Sequence, residues 1–231
     1  MNATTTTLAA TLAATVLLSP LAHADNWTIN TVADNFERVY FGTPTTTTFF
    51  AGATSWPTPV TMTALGRPPS DYIYVECHSD YGNGQGFLGT FTNTTLGMTV
   101  NTDLTNWDVF PAGAYLPQLG YAFSSWPAFQ TPSQTQVDAA ILYATTNSLW
   151  VAPSGGPGYF NTVGSPLWGP ISTISPTAQW IWYNSNASPN PLIPGFNHDE
   201  FLVFRFKGFI PAPGSLALLG VGGVLAGRRR R

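Results

Sequence analysis

Apolar and polar residues alternate with a period of two along much of the chain. In 71–78, Asp-Tyr-Ile-Tyr-Val-Glu-Cys-His, an extended backbone puts Ile73, Val75 and Cys77 on one face and Tyr72, Tyr74, Glu76 and His78 on the other. In 200–207, Glu-Phe-Leu-Val-Phe-Arg-Phe-Lys, it puts Leu202, Phe204 and Phe206 opposite Val203, Arg205 and Lys207. Runs at 36–41, 60–65, 86–91, 137–143 and 178–183 are also predicted as strands. Turn-forming clusters separate them, at 42–44 (Gly-Thr-Pro), 67–70 (Arg-Pro-Pro-Ser), 82–84 (Gly-Asn-Gly), 153–157 and 188–191. No long run of 3.6-residue spacing is read between positions 25 and 209, which argues against a doubly wound α/β fold. Many short strands with Gly- and Pro-rich turns predict an all-β chain, a single antiparallel β-sandwich, with the Pro-rich stretch 111–132 as a long loop.

The two ends break this pattern. Residues 1–24 contain an apolar stretch at about 8–18 and close on Ala22-His23-Ala24, the small-x-small form that a signal peptidase accepts. Cleavage before Asp25 is expected, and the apolar stretch is too short to span a bilayer, which needs about 20 residues. At the other end, Pro211-Ala212-Pro213-Gly214 precedes an apolar stretch, 215–227, and then Arg228, Arg229, Arg230 and Arg231. Thirteen residues of helix reach only about 20 Å, against about 30 Å of hydrocarbon. The arginines hold the end on the cytoplasmic side. Such a short C-terminal helix contacts the membrane and leaves the Pro-x-Pro just outside it.

This order of parts resembles the PEP-CTERM sorting tail, with Ala212 where that family usually has Glu. The resemblance implies an exosortase-type membrane protease as partner. It also implies delivery to the outer surface, or to an exopolysaccharide matrix, of a Gram-negative-type bacterium. The chain therefore reads as three parts: a signal peptide (1–24), a β-sandwich ectodomain (25–209) and a sorting segment (210–231).

Subtracting the ends changes the charge. The ectodomain keeps four basic residues (Arg38, Arg67, Arg205 and Lys207) against eleven acids, a net −7. A body this acidic has no basic stripe to neutralise phosphates, so nucleic acid is not an expected partner. Cys77 is the only cysteine; it forms no intramolecular disulfide and reads as a small buried hydrophobe.

A second resemblance covers about a quarter of the chain. Val32-Ala33-Asp34-Asn35-Phe36 through Phe41-Gly42, Tyr72-Ile-Tyr-Val75, Gly86-Phe-Leu-Gly-Thr-Phe91, and Ala178-Gln-Trp-Ile-Trp182 ahead of Phe201-Leu-Val-Phe-Arg205 are similar to segments of galactose-binding-like jelly-roll modules. The resemblance implies a jelly-roll-like form of the sandwich. All eight tryptophans lie in the ectodomain, and flat rings with a polar edge suit sugar faces. Trp180 and Trp182 are assigned to the core. Trp56 and Trp126, each beside a proline in a loop, are the candidate ligand-binding platform.

Chemistry is otherwise sparse. The loop Asp80-Tyr-Gly-Asn83-Gly-Gln-Gly86 carries oxygen donors, with Asp80 and Asn83 as candidate ligands for a structural calcium. It lacks the ordered acidic series and closing Glu of a calcium loop, and a hairpin turn is the expectation. His78 and His198 have no metal-ligand spacing, and no nucleophile elbow, phosphate loop or dinucleotide fingerprint is present. No metal, no cofactor and no catalysis are expected. The expected function is a non-catalytic cell-surface or matrix protein that contacts carbohydrate. The alternatives are a secreted carbohydrate-active hydrolase, which needs two facing carboxylates, and a purely structural matrix protein.

Overall fold

The computed structural model describes residues 24–53, 58–78, 84–155, 159–162, 170–183 and 200–208. Trp56, Asp80, Asn83, His198 and Asp199 lie outside the described residues, as do the signal peptide and the sorting segment with Pro211, Ala212, Pro213, Gly214 and Arg228 to Arg231. No helix among the described residues is long and apolar enough to cross a membrane.

Among the described residues, nine strands form two antiparallel sheets. In chain order they are β1 (Asp25–Asp34), β2 (Phe36–Gly42), β3 (Thr47–Ala53), β4 (Val60–Arg67), β5 (Tyr72–His78), β6 (Gly86–Asn93), β7 (Met98–Asn101), β8 (Trp107–Phe110) and, after helix α1 (Gln134–Thr146), β9 (Phe201–Phe206). One sheet has the order β4-β1-β6-β7 and the other β3-β2-β5-β9-β8. Between them lies an aromatic core of Ile29, Val39, Phe41, Val75, Phe87, Phe91, Trp107, Leu202 and Phe204. Cys77 is fully buried in the same layer, and burial, reinforced by the charges of Glu37 and Glu76, pushes its thiol well above the usual range. It is a packing residue without thiolate reactivity.

The strands expected at 36–41, 60–65, 71–78, 86–91 and 200–207 are present as β2, β4, β5, β6 and β9. Two expectations are corrected. The segment 137–143 is helix α1, whose Val137, Ala140, Ile141 and Ala144 form one buried face. Ser133 caps its start: the Ser133 side chain accepts from Gln136 N–H, and the Gln136 side chain returns a bond to the Ser133 backbone. The segment 178–183 makes only isolated bridges, among them Ile181 to Phe87 and Trp182 to Ser154. Its tryptophans are buried as expected but diverge: Trp182 enters the inter-sheet core, while Trp180 joins Val32 and Leu88 on the outer face of the first sheet.

Helix α1 gives the second sheet a cover that alternation alone does not announce. Tyr40, Tyr74, Phe110, Phe201 and Val203, on the sheet face away from the sandwich core, pack against α1 and Trp126. The helix also protects an edge. Strand β3 ends its sheet, and unpaired edge amides invite another strand. Asp138 Oδ1 accepts from Thr47 N–H at 2.9 Å and Gln134 Oε1 accepts from Phe49 N–H at 2.9 Å, so α1 occupies the outward positions that a foreign strand would use.

Candidate functional site

The segment between residues 115 and 133 crosses the outer face of the second sheet and carries a small core of its own. Trp126 is 1% exposed. Its ring meets Phe201 at 4.7 Å, Tyr121 at 5.5 Å and Phe123 at 5.8 Å, and its indole N–H donates to Gln130 O at 2.6 Å. Trp126 is therefore an anchor and not the exposed platform expected from its place beside Pro127. A loop this long needs internal apolar contact to hold one shape, and the largest ring supplies most of it.

The exposed ring is three residues further on. Phe129 is 65% exposed and its backbone sits at φ 61°, a left-handed conformation that costs a residue with a Cβ about 1–2 kcal/mol. It meets Phe36 edge-on at 5.9 Å. Two residues along the same face of β2, Arg38 places its guanidinium 5.1 Å from the ring of Phe49, which is 43% exposed. Phe129, Phe36, Arg38 and Phe49 thus make an aromatic strip with one cation along the β2–β3 margin of the sheet. Backbone strain that displays a large apolar ring instead of hiding it is a feature of functional positions.

Beneath the strip lies a buried polar pair. His78 stacks on Phe36 at 4.6 Å, with the rings 7° from parallel. Its Nδ1 is 2.8 Å from Glu76 Oε1 and its Nε2 is 3.4 Å from Thr131 Oγ1. Glu76 is fully buried and His78 is 1% exposed, whereas Thr131 is exposed. Burial pushes the Glu76 carboxyl above its usual range, opposed by the hydrogen bond and charge of His78 and then by the charge of Arg38. On the other face of β2, Glu37 is fully enclosed between the sheets, and burial raises it to about 8, with the Thr31 hydroxyl opposing and Glu76 adding to the rise.

Two further acids, Asp108 and Asp103, are occupied structurally. Asp108 pairs with Arg205 at 2.7 Å and Lys207 at 3.6 Å, and Arg205 lies 4.2 Å from the Trp150 ring. Asp103 closes a tight turn by accepting from Thr105 N–H, Asn106 N–H and the Asn106 side chain. A shallow polar groove runs between Asn101, Asp103, Asn106, Thr177 and Phe206, but its amides, hydroxyls and carboxylate largely bond one another. Among the described residues no three His, Cys, Asp or Glu side chains gather as for a metal ion.

Sequence reasoning missed Phe129 and the Glu76–His78 pair. Period-two alternation does put Glu76 and His78 on one face of β5, but nothing in it says that face is covered. No protein-family model, curated protein or solved structure matches this chain.

Proposed function

We propose that this is an exported protein, displayed at the bacterial envelope or in its matrix, whose jelly-roll-like sandwich contacts carbohydrate through Phe129, Phe36, Arg38 and Phe49. The export half of the reading rests on the Ala22-His23-Ala24 leader end and the Pro211-to-Arg231 tail. A signal peptidase and an exosortase-type enzyme would act on these in turn. The binding half is carried by one observation, a 65%-exposed phenylalanine held at a positive φ on a loop that buries its tryptophan. Flat rings take the apolar face of a pyranose, and a guanidinium beside them serves hydroxyl or carboxylate groups on the same polymer.

The test is a glycan array probed with the 25–209 fragment and its Phe129→Ala form. Binding by the parent that is lost in the variant is the expected result. No signal from any glycan would defeat the carbohydrate reading and leave a structural matrix protein.

A further inference from the structure

We propose that Thr131, His78 and Glu76 form a hydroxyl–imidazole–carboxylate relay that makes Thr131 a nucleophile toward acyl esters. The three groups are in series: Thr131 Oγ1 is 3.4 Å from His78 Nε2, and His78 Nδ1 is 2.8 Å from Glu76 Oε1. This is the order that nucleophilic catalysis at a hydroxyl requires, with a base within reach of the nucleophile and a third group that orients the base. The relay requires the tautomer in which His78 Nδ1–H donates to Glu76 Oε1, which leaves the Nε2 lone pair facing the hydroxyl. The Phe36 ring, parallel to the imidazole at 4.6 Å, fixes its plane.

Burial is graded along the series. Glu76 is enclosed, His78 is 1% exposed, and Thr131 stands in solvent, so a substrate can reach the nucleophile while the base stays dry. A purely structural role explains the group less well. The loop is already fastened by Trp126, a contact of 3.4 Å is a slack tether, and apolar side chains in place of a buried ionisable pair commonly stabilise a fold. A base–nucleophile distance at the long end of hydrogen bonding is ordinary for an unliganded site and shortens when substrate is bound.

The step balances within these residues and water. Thr131 Oγ1 forms a bond to the ester carbonyl carbon as its proton passes to His78 Nε2. The ester C–O bond then breaks, its electron pair stays on the departing alcohol oxygen, and that oxygen takes the proton from Nε2. Water repeats the attack on the acyl-threonine, giving up a proton to Nε2, and the acid leaves as Thr131 recovers its hydrogen. Thr131 and His78 are catalytic residues in this scheme and Glu76 is a positioning residue.

The experiment uses p-nitrophenyl acetate with the intact protein, following p-nitrophenol release and the mass of the peptide that contains Thr131. It needs no glycan, so it stands or falls apart from the carbohydrate reading. The expected result is an acetyl group on Thr131 and release about a hundredfold faster than from Thr131→Ala, the scale of a lost base–nucleophile couple; Thr131→Ser keeps the activity. Thr131 is exposed, so both variants are expected to fold, which a thermal melt verifies. Equal release from parent and Thr131→Ala, acetyl found only on Lys207 or another residue, or no release above buffer would each overturn the proposal.

Discussion

Removing the Asp138 carboxylate is expected to loosen the edge of the second sheet without touching either sheet's core. One oxygen, Oδ1, receives Thr47 N–H at 2.9 Å, Thr47 O–H at 2.7 Å and the Gln134 amide at 3.2 Å. A hydrogen bond to a charged group contributes about 1.5–3 kcal/mol, and a neutral one about 1. Asp138 is half-buried, so water replaces part of what is lost, and Asp138→Ala is expected to cost about 2 kcal/mol. In a domain of this size that lowers Tm by roughly 4–8 °C. Asp138→Asn keeps an acceptor but loses the charge and is expected to cost about half as much. Urea unfolding of Asp138→Ala, Thr47→Val and the double variant measures the pair directly, with a coupling of about 1 kcal/mol expected. Amide exchange at Thr47 and Phe49 should accelerate more than in β2 or β5. Additive single-variant effects with unchanged exchange in β3 would show that the helix rests on the edge without protecting it.

Three further outcomes are expected. Trp126→Ala removes a buried ring and should cost about 3–5 kcal/mol, whereas Phe129→Gly, which relieves a positive φ, should leave urea stability within about 1 kcal/mol of the parent; equal losses would mean that Phe129 is also a packing residue. A carboxyl held above its unfolded pKa binds its proton more tightly when folded. Glu37, raised from 4.5 to about 8, therefore lowers stability progressively as pH climbs through that window, with no further change above it. Glu37→Gln should accordingly outlast the parent in urea at pH 8 and converge with it toward pH 4.5, and parallel curves would contradict the burial of an ionising group. If an exosortase-type enzyme acts at the Pro-Ala-Pro tail, the intact mass of protein extracted from the cell surface will lack residues 215–231; a mass that retains the four arginines excludes it.

How much of the fold could be read depended on whether burial was one-sided. Strands β5 and β9 were legible because Ile73, Val75 and Cys77, like Leu202 and Phe204, alternate with other residues and face the sandwich core. Their opposite faces were misleading, since Tyr74, Phe201 and Val203 are buried under the helix. Helix α1 was hidden by composition. Its inward stripe of Val137, Ala140, Ile141 and Ala144 has helical spacing, but two of the four are alanines, and Leu142 and Tyr143 extend the apolar run through both faces. The signal that could have found it is Ser133-x-x-Gln136, a capping box directly ahead of the stripe. Strand β1 carries Trp27, Ile29 and Thr31 in alternation, but its polar positions Asn26, Thr28 and Asn30 and its start directly after the leader blur the pattern.

The candidate site was half legible for a related reason. The sequence places an aromatic-rich loop near residue 126, but which ring goes inside is decided by the room beneath it. Trp126 fits between Phe201, Tyr121 and Phe123, and its N–H donates to an acceptor within its own loop, Gln130 O. That bond closes the turn between Phe129 and Thr131, so one buried tryptophan positions both the ring proposed to meet carbohydrate and the hydroxyl proposed to accept an acyl group. The two residues lie on either side of the same anchored carbonyl, and they rest on neighbouring parts of one stack: Phe129 against Phe36, and Thr131 against the His78 ring that Phe36 covers. A change in how Trp126 seats therefore moves both together. That shared dependence is why Trp126, one of the two tryptophans the sequence offers as a ligand platform, instead positions the residues proposed to meet ligand.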